Sequence, residues 1–345
     1  MPSPNPNWGE ITTTTLFNRS RRLADNVTKN NAILQRLSQR GKVKPVDGGE
    51  AIVQELEYSE NATYLRYQGY DILNVSPSDV FTAAQYPWAQ AACAVSISGL
   101  EELKNSGENR MIDLLEARIS NAEKTMTNGI SGDCYGDGTL DGGKQIGGLQ
   151  LLLADVNNAG TVGGIDRALW PFWRHSVMSF AAQVPVLTPG PATIQTMMNR
   201  LWLTQVRGTD RPDLGIADNA MFRMYWESLQ AIQRILKPDE GVAGFQSLKF
   251  MDMDIVFDGG FQGVAAGTGA MIGGGITWAT PAGAPPNHLW FLNTDYIFLR
   301  PHRERNMVPL NPDRFAVNQD AMVKLVGWAG NMTMSNAFLQ GLIIN

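Results

Sequence analysis

The chain has 345 residues, 43% hydrophobic and 18% charged, enough to bury a sizeable core in two or three lobes. Its net charge of −5 excludes a protein that coats nucleic acid along its whole length, which takes an excess of Lys and Arg. Thirty-five Gly and 18 Pro predict a loop-rich α+β chain, and two cysteines, Cys93 and Cys134, exclude a disulfide framework.

The opening MPSPNPNWGE lacks the basic and apolar regions of a signal peptide, and no run approaches the ~18 apolar residues of a membrane span. A protein made and used in a reducing cytoplasm, without a membrane, is expected. Charge is unevenly spread. Residues 1–44 hold eight basic side chains (Arg19, Arg21, Arg22, Lys29, Arg36, Arg40, Lys42, Lys44) against Glu10 and Asp25, a net +6 that leaves −11 for the rest.

Residues 1–10 read as extended, and Leu16 to Arg40, free of Gly and Pro, as a helical arm. Its apolar stripe (Leu23, Val27, Ile33, Leu34, Leu37) is too thin for a core helix, so the arm is expected to need a partner surface. Gly48-Gly49 ends this segment. Glu50 to Gly69 then reads as two strands with a polar turn around Ser59–Asn61. A two-stranded hairpin is marginal in water, so this one too calls for a covering surface.

Tyr86 to Ser98 reads as a buried strand. A long helix follows, with Ser106 as N-cap, Glu108 in its first turn and Ile112, Leu115, Ile119, Ala122 and Met126 on one face, stopping at Asn128-Gly129. The Gly-rich stretch Gly129–Gly148 marks a domain boundary. Beyond it, Thr193–Gln205 and Asn219–Leu236 are predicted helices, and Pro238–Gly241 a turn. Phe250–Phe257 is predicted as one alternating strand, with Met251, Met253, Ile255 and Phe257 on one face. A Gly/Ala loop spans Gly259–Gly275. His288–Arg300 reads as a strand or strand pair, and residues 320–344 as further strands with bends at Gly327, Gly330 and Gly341.

Candidate chemistry is sparse. Gly138 to Lys144 fits the spacing of a phosphate-binding loop, but Gln145 stands where Ser or Thr must hold magnesium, and the loop follows a helix where a strand is required. It reads as a linker. Asp252, Asp254 and Asp258 could offer oxygen ligands to a hard cation, yet strand alternation alone predicts polar residues there, and a solvated face is the simpler reading. Asp133, Asp137 and Asp141 lack calcium-loop spacing. His175, His288 and His302 lack metal-ligand spacing, and no Gly-x-Ser-x-Gly elbow or reactive-cysteine signature occurs. The chain is read as non-enzymatic, with no catalytic, cofactor or metal site.

The ordered parts resemble the major capsid proteins of tailed phages, with the Hong Kong 97-type fold. Gly48–Gly69 looks like that family's extended loop, Ala91–Ser98 and the helix running into Asn128–Gly138 like its peripheral strand and spine helix, and Ile146–Leu149 like the approach to its axial domain. Phe291–Asp295 and Ala321–Ile344 look like its closing strands. The resemblance implies an α+β chain with an N-terminal arm (1–47), an extended β-hairpin loop (48–76), a peripheral domain with a long spine helix (77–145 and 310–338) and an axial domain (146–309 and 339–345).

It further implies self-assembly into hexamers and pentamers of an icosahedral virion capsid, built in the host bacterial cytoplasm around double-stranded DNA, with a portal protein and a possible decoration protein. Inter-subunit contacts are expected at Glu55, Glu57, Tyr58, Tyr64, Arg66 and Tyr67. DNA or neighbour contacts are expected at Arg19, Arg21, Arg22, Arg36 and Arg40. No Lys occurs in residues 48–75, so the lysine cross-link of some relatives is not expected, and the short segment before the hairpin points to a separate scaffolding protein. An encapsulin-type nanocompartment shares the fold and is the alternative.

Overall fold

The computed structural model describes residues 32–104, 114–230, 247–258, 284–315 and 321–345. The first described helix, α1 (Ala32–Gln39), precedes strands β1 (Ile52–Glu57), β2 (Phe81–Tyr86) and β3 (Ala89–Ser98), then a long helix, α2 (Leu114–Asp133). The second half holds β4 (Ser176–Ser179), α3 (Ile194–Gln205), β5 (Leu214–Ala217), α4 (Asn219–Gln230), β6 (Ser247–Phe250), β7 (Met253–Phe257) and β8 (His288–Leu292). The closing strands are β9 (Ile297–Phe315), β10 (Ala321–Met334) and β11 (Gly341–Ile344).

Two sheets organise these elements. A six-stranded mixed sheet runs β4-β11-β8-β5-β7-β6, parallel at β4/β11 and β5/β7 and antiparallel elsewhere. Its central strand is apolar at nearly every position because both faces are covered. Leu289 and Phe291 of β8 join the core under α3 and α4, while Trp290 and Leu292 point into a second core on the opposite face. Helix α3 turns Ile194, Met197, Met198, Leu201, Trp202 and Gln205 inward, the spacing of one helical face. Asp218 caps α4 by accepting the Met221 amide at 2.8 Å.

The opposite face is covered in part by α1, whose Ala32, Ile33 and Leu37 are fully buried in that second core. Here the structure corrects the sequence reading: this part of the arm finds its covering surface within its own chain. Two apolar positions four residues apart suffice because the helix is short and its basic flank pairs with acidic groups of the sheet.

The second sheet is long, three-stranded and antiparallel, in the order β9-β10-β3. Strand β9 runs unbroken across the expected domain boundary after residue 309. Helix α2 packs against β3, with the Arg118 guanidinium donating to the Ser96 carbonyl at 2.7 Å and pairing with Glu101 at 3.1 Å. The expected cap at Ser106 lies outside the described residues. The helix also passes its predicted stop at Gly129, because Ile130 continues the buried stripe of Ala122 and Met126 and packing outweighs one glycine. It ends where residues 133–136 meet Gly148: a β-carbon on Gly148 would lie 2.4 Å from the Asp133 carbonyl oxygen.

One further reading changes. Phe250–Phe257 is a hairpin, not one strand: Phe250 pairs with Met253, and Met251, at φ 53°, stands exposed in the turn. The His288–Arg300 stretch breaks at Asn293, whose side chain accepts the Asp295 amide at 3.1 Å and caps a short turn.

Candidate inter-subunit surface

Strands β1 and β2 form a two-stranded antiparallel ribbon, registered from Ile52 opposite Tyr86 to Glu57 opposite Phe81. One face is anchored. Ile52, Leu56, Ala84 and Tyr86 are buried, and the Tyr86 hydroxyl donates to the Met334 carbonyl at 3.2 Å. Burial pushes that hydroxyl's pKa up to about 12, so it stays a donor. The other face carries half-exposed Val53, exposed Phe81, Glu55 and Glu57.

The ribbon's return strand is Phe81–Tyr86, so the second strand expected between the Ser59–Asn61 turn and Gly69 is corrected to part of a longer loop over residues 58–80. Past the Tyr58 amide, which donates to the Val80 carbonyl at 3.0 Å, side chains hold its two limbs together at the base. Asn61 accepts from the Thr63 amide and hydroxyl at 2.9 and 2.7 Å and from the Ser78 hydroxyl at 3.1 Å, and Ser59 donates to the Asp79 carbonyl at 3.2 Å.

Beyond that clasp the loop is exposed and apolar: Tyr64, Tyr70 and Ile72 have 77%, 104% and 95% of their surfaces free, and Tyr67 and Val75 are exposed as well. Residues 48–80 carry six acidic side chains against Arg66 alone.

The predicted contact residues separate on this geometry. Glu55 and Glu57 lie on the free ribbon face, and Tyr64, Arg66 and Tyr67 lie in the exposed loop, with the Arg66 guanidinium 5.9 Å from the centre of the Tyr64 ring. The half-buried Tyr58 ring lies 5.7 Å from Trp170 and 5.8 Å from Phe172 of its own chain, contacts that anchor the base of the loop. Tyr70, Ile72, Val75 and Phe81 are the exposed residues that sequence reasoning missed. For the first three, the signal was a mostly apolar stretch, 70–75, that belongs to no amphipathic element.

Of the basic arm, Arg19, Arg21 and Arg22 lie outside the described residues. Arg36 and Arg40 meet an acidic face of the same chain: Arg36 pairs with Asp213 at 3.2 Å and Asp254 at 3.7 Å, Arg40 with Asp213 at 3.2 Å and Asp295 at 3.6 Å. Lys42 joins Asp295 at 3.0 Å, and Lys44 lies over the Phe298 ring. Half of the eight basic side chains are thus held within the chain, and residues 1–31 retain only a net +2.

The candidate ligand groups diverge. Asp252 pairs with Arg211 and Asp254 with Arg36, while buried Asp258 accepts from the Ala32 amide at 3.2 Å and from the Tyr135 hydroxyl. Burial raises the Asp258 carboxyl pKa to about 6. His288 pairs with Asp155 at 2.8 Å, and buried His175 has its pKa lowered to about 4, chiefly by desolvation. Leu140 to Gly143 form one exposed, irregular turn, with Asp141 and Gly142 left-handed. Among the described residues no group of three or more His, Cys, Asp or Glu could hold a metal.

No family model matches the chain, and no curated protein matches it. Solved structures do. A chain of the capsid asymmetric unit of cyanophage A-1(L) superposes with a TM-score of 0.65 at 15% identity, over 95% of this chain and 96% of that one. The chain has the Hong Kong 97-type capsid fold. The capsid of the native GTA particle shows the same likeness at a TM-score of 0.52 and 9% identity over 99% of both chains. The encapsulin of the holo-SrpI complex from Synechococcus elongatus PCC 7942 does so at 0.55 and 10%, over 98% of this chain and 95% of that one.

Proposed function

We propose that the chain is a major capsid protein of a tailed phage, whose copies assemble as hexamers and pentamers into an icosahedral head around double-stranded DNA. The exposed loop of residues 58–80 carries this reading. A monomer gains nothing from presenting Tyr64, Tyr67, Tyr70, Ile72 and Val75 to water, whereas full burial of a large apolar side chain is worth about 1.5–3 kcal/mol. Five such residues on a loop anchored at its base by Tyr58 and Asn61 offer enough surface to offset the cost of association.

On this reading the spine helix and the three-stranded sheet form the peripheral domain and the six-stranded sheet the axial one. Contacts between copies are non-covalent, because the loop offers no lysine for a cross-link. Glu55, Glu57, Tyr64, Arg66 and Tyr67 face the neighbour. A separate scaffolding protein guides assembly in the host cytoplasm, a portal protein occupies one vertex, and a decoration protein is an optional addition. Arg19, Arg21 and Arg22 contact packaged DNA, while Arg36 and Arg40 secure the first helix. Neutralising the first three tests that division: shell yield stays unchanged and DNA retention falls, whereas lost shells place them against a neighbour.

Likeness to the encapsulin supports a second reading, a nanocompartment enclosing cargo enzymes. The content of purified shells separates the two: nucleic acid on one reading, protein on the other. The shared premise is tested by deleting residues 62–76. Loss of shells with an unchanged melting profile of the subunit is expected; shells of normal yield from the deleted chain overturn the proposal.

A further inference from the structure

At the base of the extended loop lies a cleft of about 400 Å³, lined on one side by Leu56 to Glu60, on another by Phe172 and Trp173, and closed by Arg207 and the turn Ser335–Phe338. Its floor is aromatic. Phe172 lies 5.9 Å from buried Trp173, and Phe338, 43% exposed, carries the Arg207 guanidinium 5.2 Å above its ring. Its rim has both signs of charge: Arg207 on one side, Glu57 and Glu60 on the other. Among the described residues none of these three forms an ion pair.

The loop tip offers the matching set. Tyr70 and Ile72, the two most exposed large apolar residues of the loop, flank Asp71, and Arg66 lies four residues before Tyr70. Neither Asp71 nor Arg66 pairs with an opposite charge among the described residues. The tip is exposed in the subunit, so it does not fill its own cleft.

We propose that this cleft receives the loop tip of a second copy, with Tyr70 and Ile72 against Phe172 and Phe338, Asp71 beside Arg207, and Arg66 beside Glu57 and Glu60. The inference rests on the shell reading and deepens it by naming where the loop goes. Charge of both signs favours this occupant, since reversed register would set Asp71 against the glutamates and Arg66 against Arg207. An uncharged apolar partner would leave Arg207 and the two glutamates unmatched.

The test is a charge exchange in the full-length chain: Arg207→Glu, Asp71→Arg and the double variant, with the critical concentration for shell formation read by sedimentation and electron microscopy. All substituted positions are exposed, and thermal melts of the dissociated subunits check that folding is retained. Each single variant is expected to raise the critical concentration about tenfold, and the double to return it to within about threefold of the unmodified chain. Singles that assemble normally, or a double no better than the worse single, overturn the cleft as the docking site. If the chain lacking residues 62–76 also fails to assemble, the shell reading survives that result and only the cleft is refuted. An unmodified chain that forms neither shells nor hexameric and pentameric rings refutes both.

Discussion

Replacing Asp213 should detach the first helix from the body of the subunit. Its carboxylate accepts from the Arg36 side chain at 3.2 Å, from Arg40 at 3.2 Å, and from the Thr294 amide and hydroxyl at 2.7 and 2.8 Å. Arg36 and Asp213 are each about 85% shielded from solvent, Arg40 about 65%. Stripping a partner from a fully buried pair costs about 3–5 kcal/mol, and an exposed pair is worth about 0.2–1 kcal/mol, so the Arg36 pair belongs near 2 kcal/mol and the Arg40 pair near the exposed value.

The two hydrogen bonds to Thr294 add about 1–2 kcal/mol together, at about 0.5–1 kcal/mol for each bond. Asp213→Ala should therefore lose about 3–4 kcal/mol, and Asp213→Asn, which keeps an acceptor for Thr294, about 2 kcal/mol. Urea unfolding of the dissociated subunit measures both. If Asp213→Ala costs less than about 0.5 kcal/mol, the ion pairs are not what holds this helix, and burial of Ile33 and Leu37 carries it alone.

A paired glycine test probes the exit from the spine helix. Gly148→Ala, forced 2.4 Å from a backbone oxygen, should lower the thermal midpoint sharply, whereas Gly129→Ala, with nothing within 4 Å, should stabilise by about 0.5–1 kcal/mol. Asp258 should make stability depend on pH. Its folded-state pKa lies above the unfolded carboxyl value, so the folded state holds the proton more tightly, and this group's contribution rises as pH falls through about 6 and levels off near 4. Comparing Asp258→Asn with the parent from pH 4 to 8 should show that slope only in the parent; an opposite slope contradicts the buried placement. Finally, Tyr70→Ser with Ile72→Ser should leave the subunit's melting temperature unchanged while abolishing assembly, because these side chains contact nothing that folding within one chain supplies.

Elements whose periodicity matches a buried face were legible in the sequence. Thr193–Gln205 was placed to within one residue, and β3 to within three of its expected Tyr86 start and at its Ser98 end. Where reading failed, the deciding contact was distant in sequence. Gly129 looked like a helix stop because only the far core reveals that Ile130 is buried. The Met251–Asp252 turn was hidden because a two-residue hairpin keeps apolar residues at both ends, which reads as alternation continued. The hairpin after Gly49 was cut short, since the polar clasp of Ser59 and Asn61 with Ser78 and Asp79 joins residues about twenty apart. Arg36 and Arg40 were read as contacts to DNA or a neighbouring subunit; that they meet Asp213, Asp254 and Asp295 of their own chain is a fact of the fold that no local pattern carries.

Electron microscopy of the purified full-length chain, across concentration, tests the central claim most directly. Closed shells, or hexameric and pentameric rings in which residues 58–80 are covered by a neighbouring copy, are the expected result. Discrete monomers at every concentration, with the loop still exposed, would contradict it.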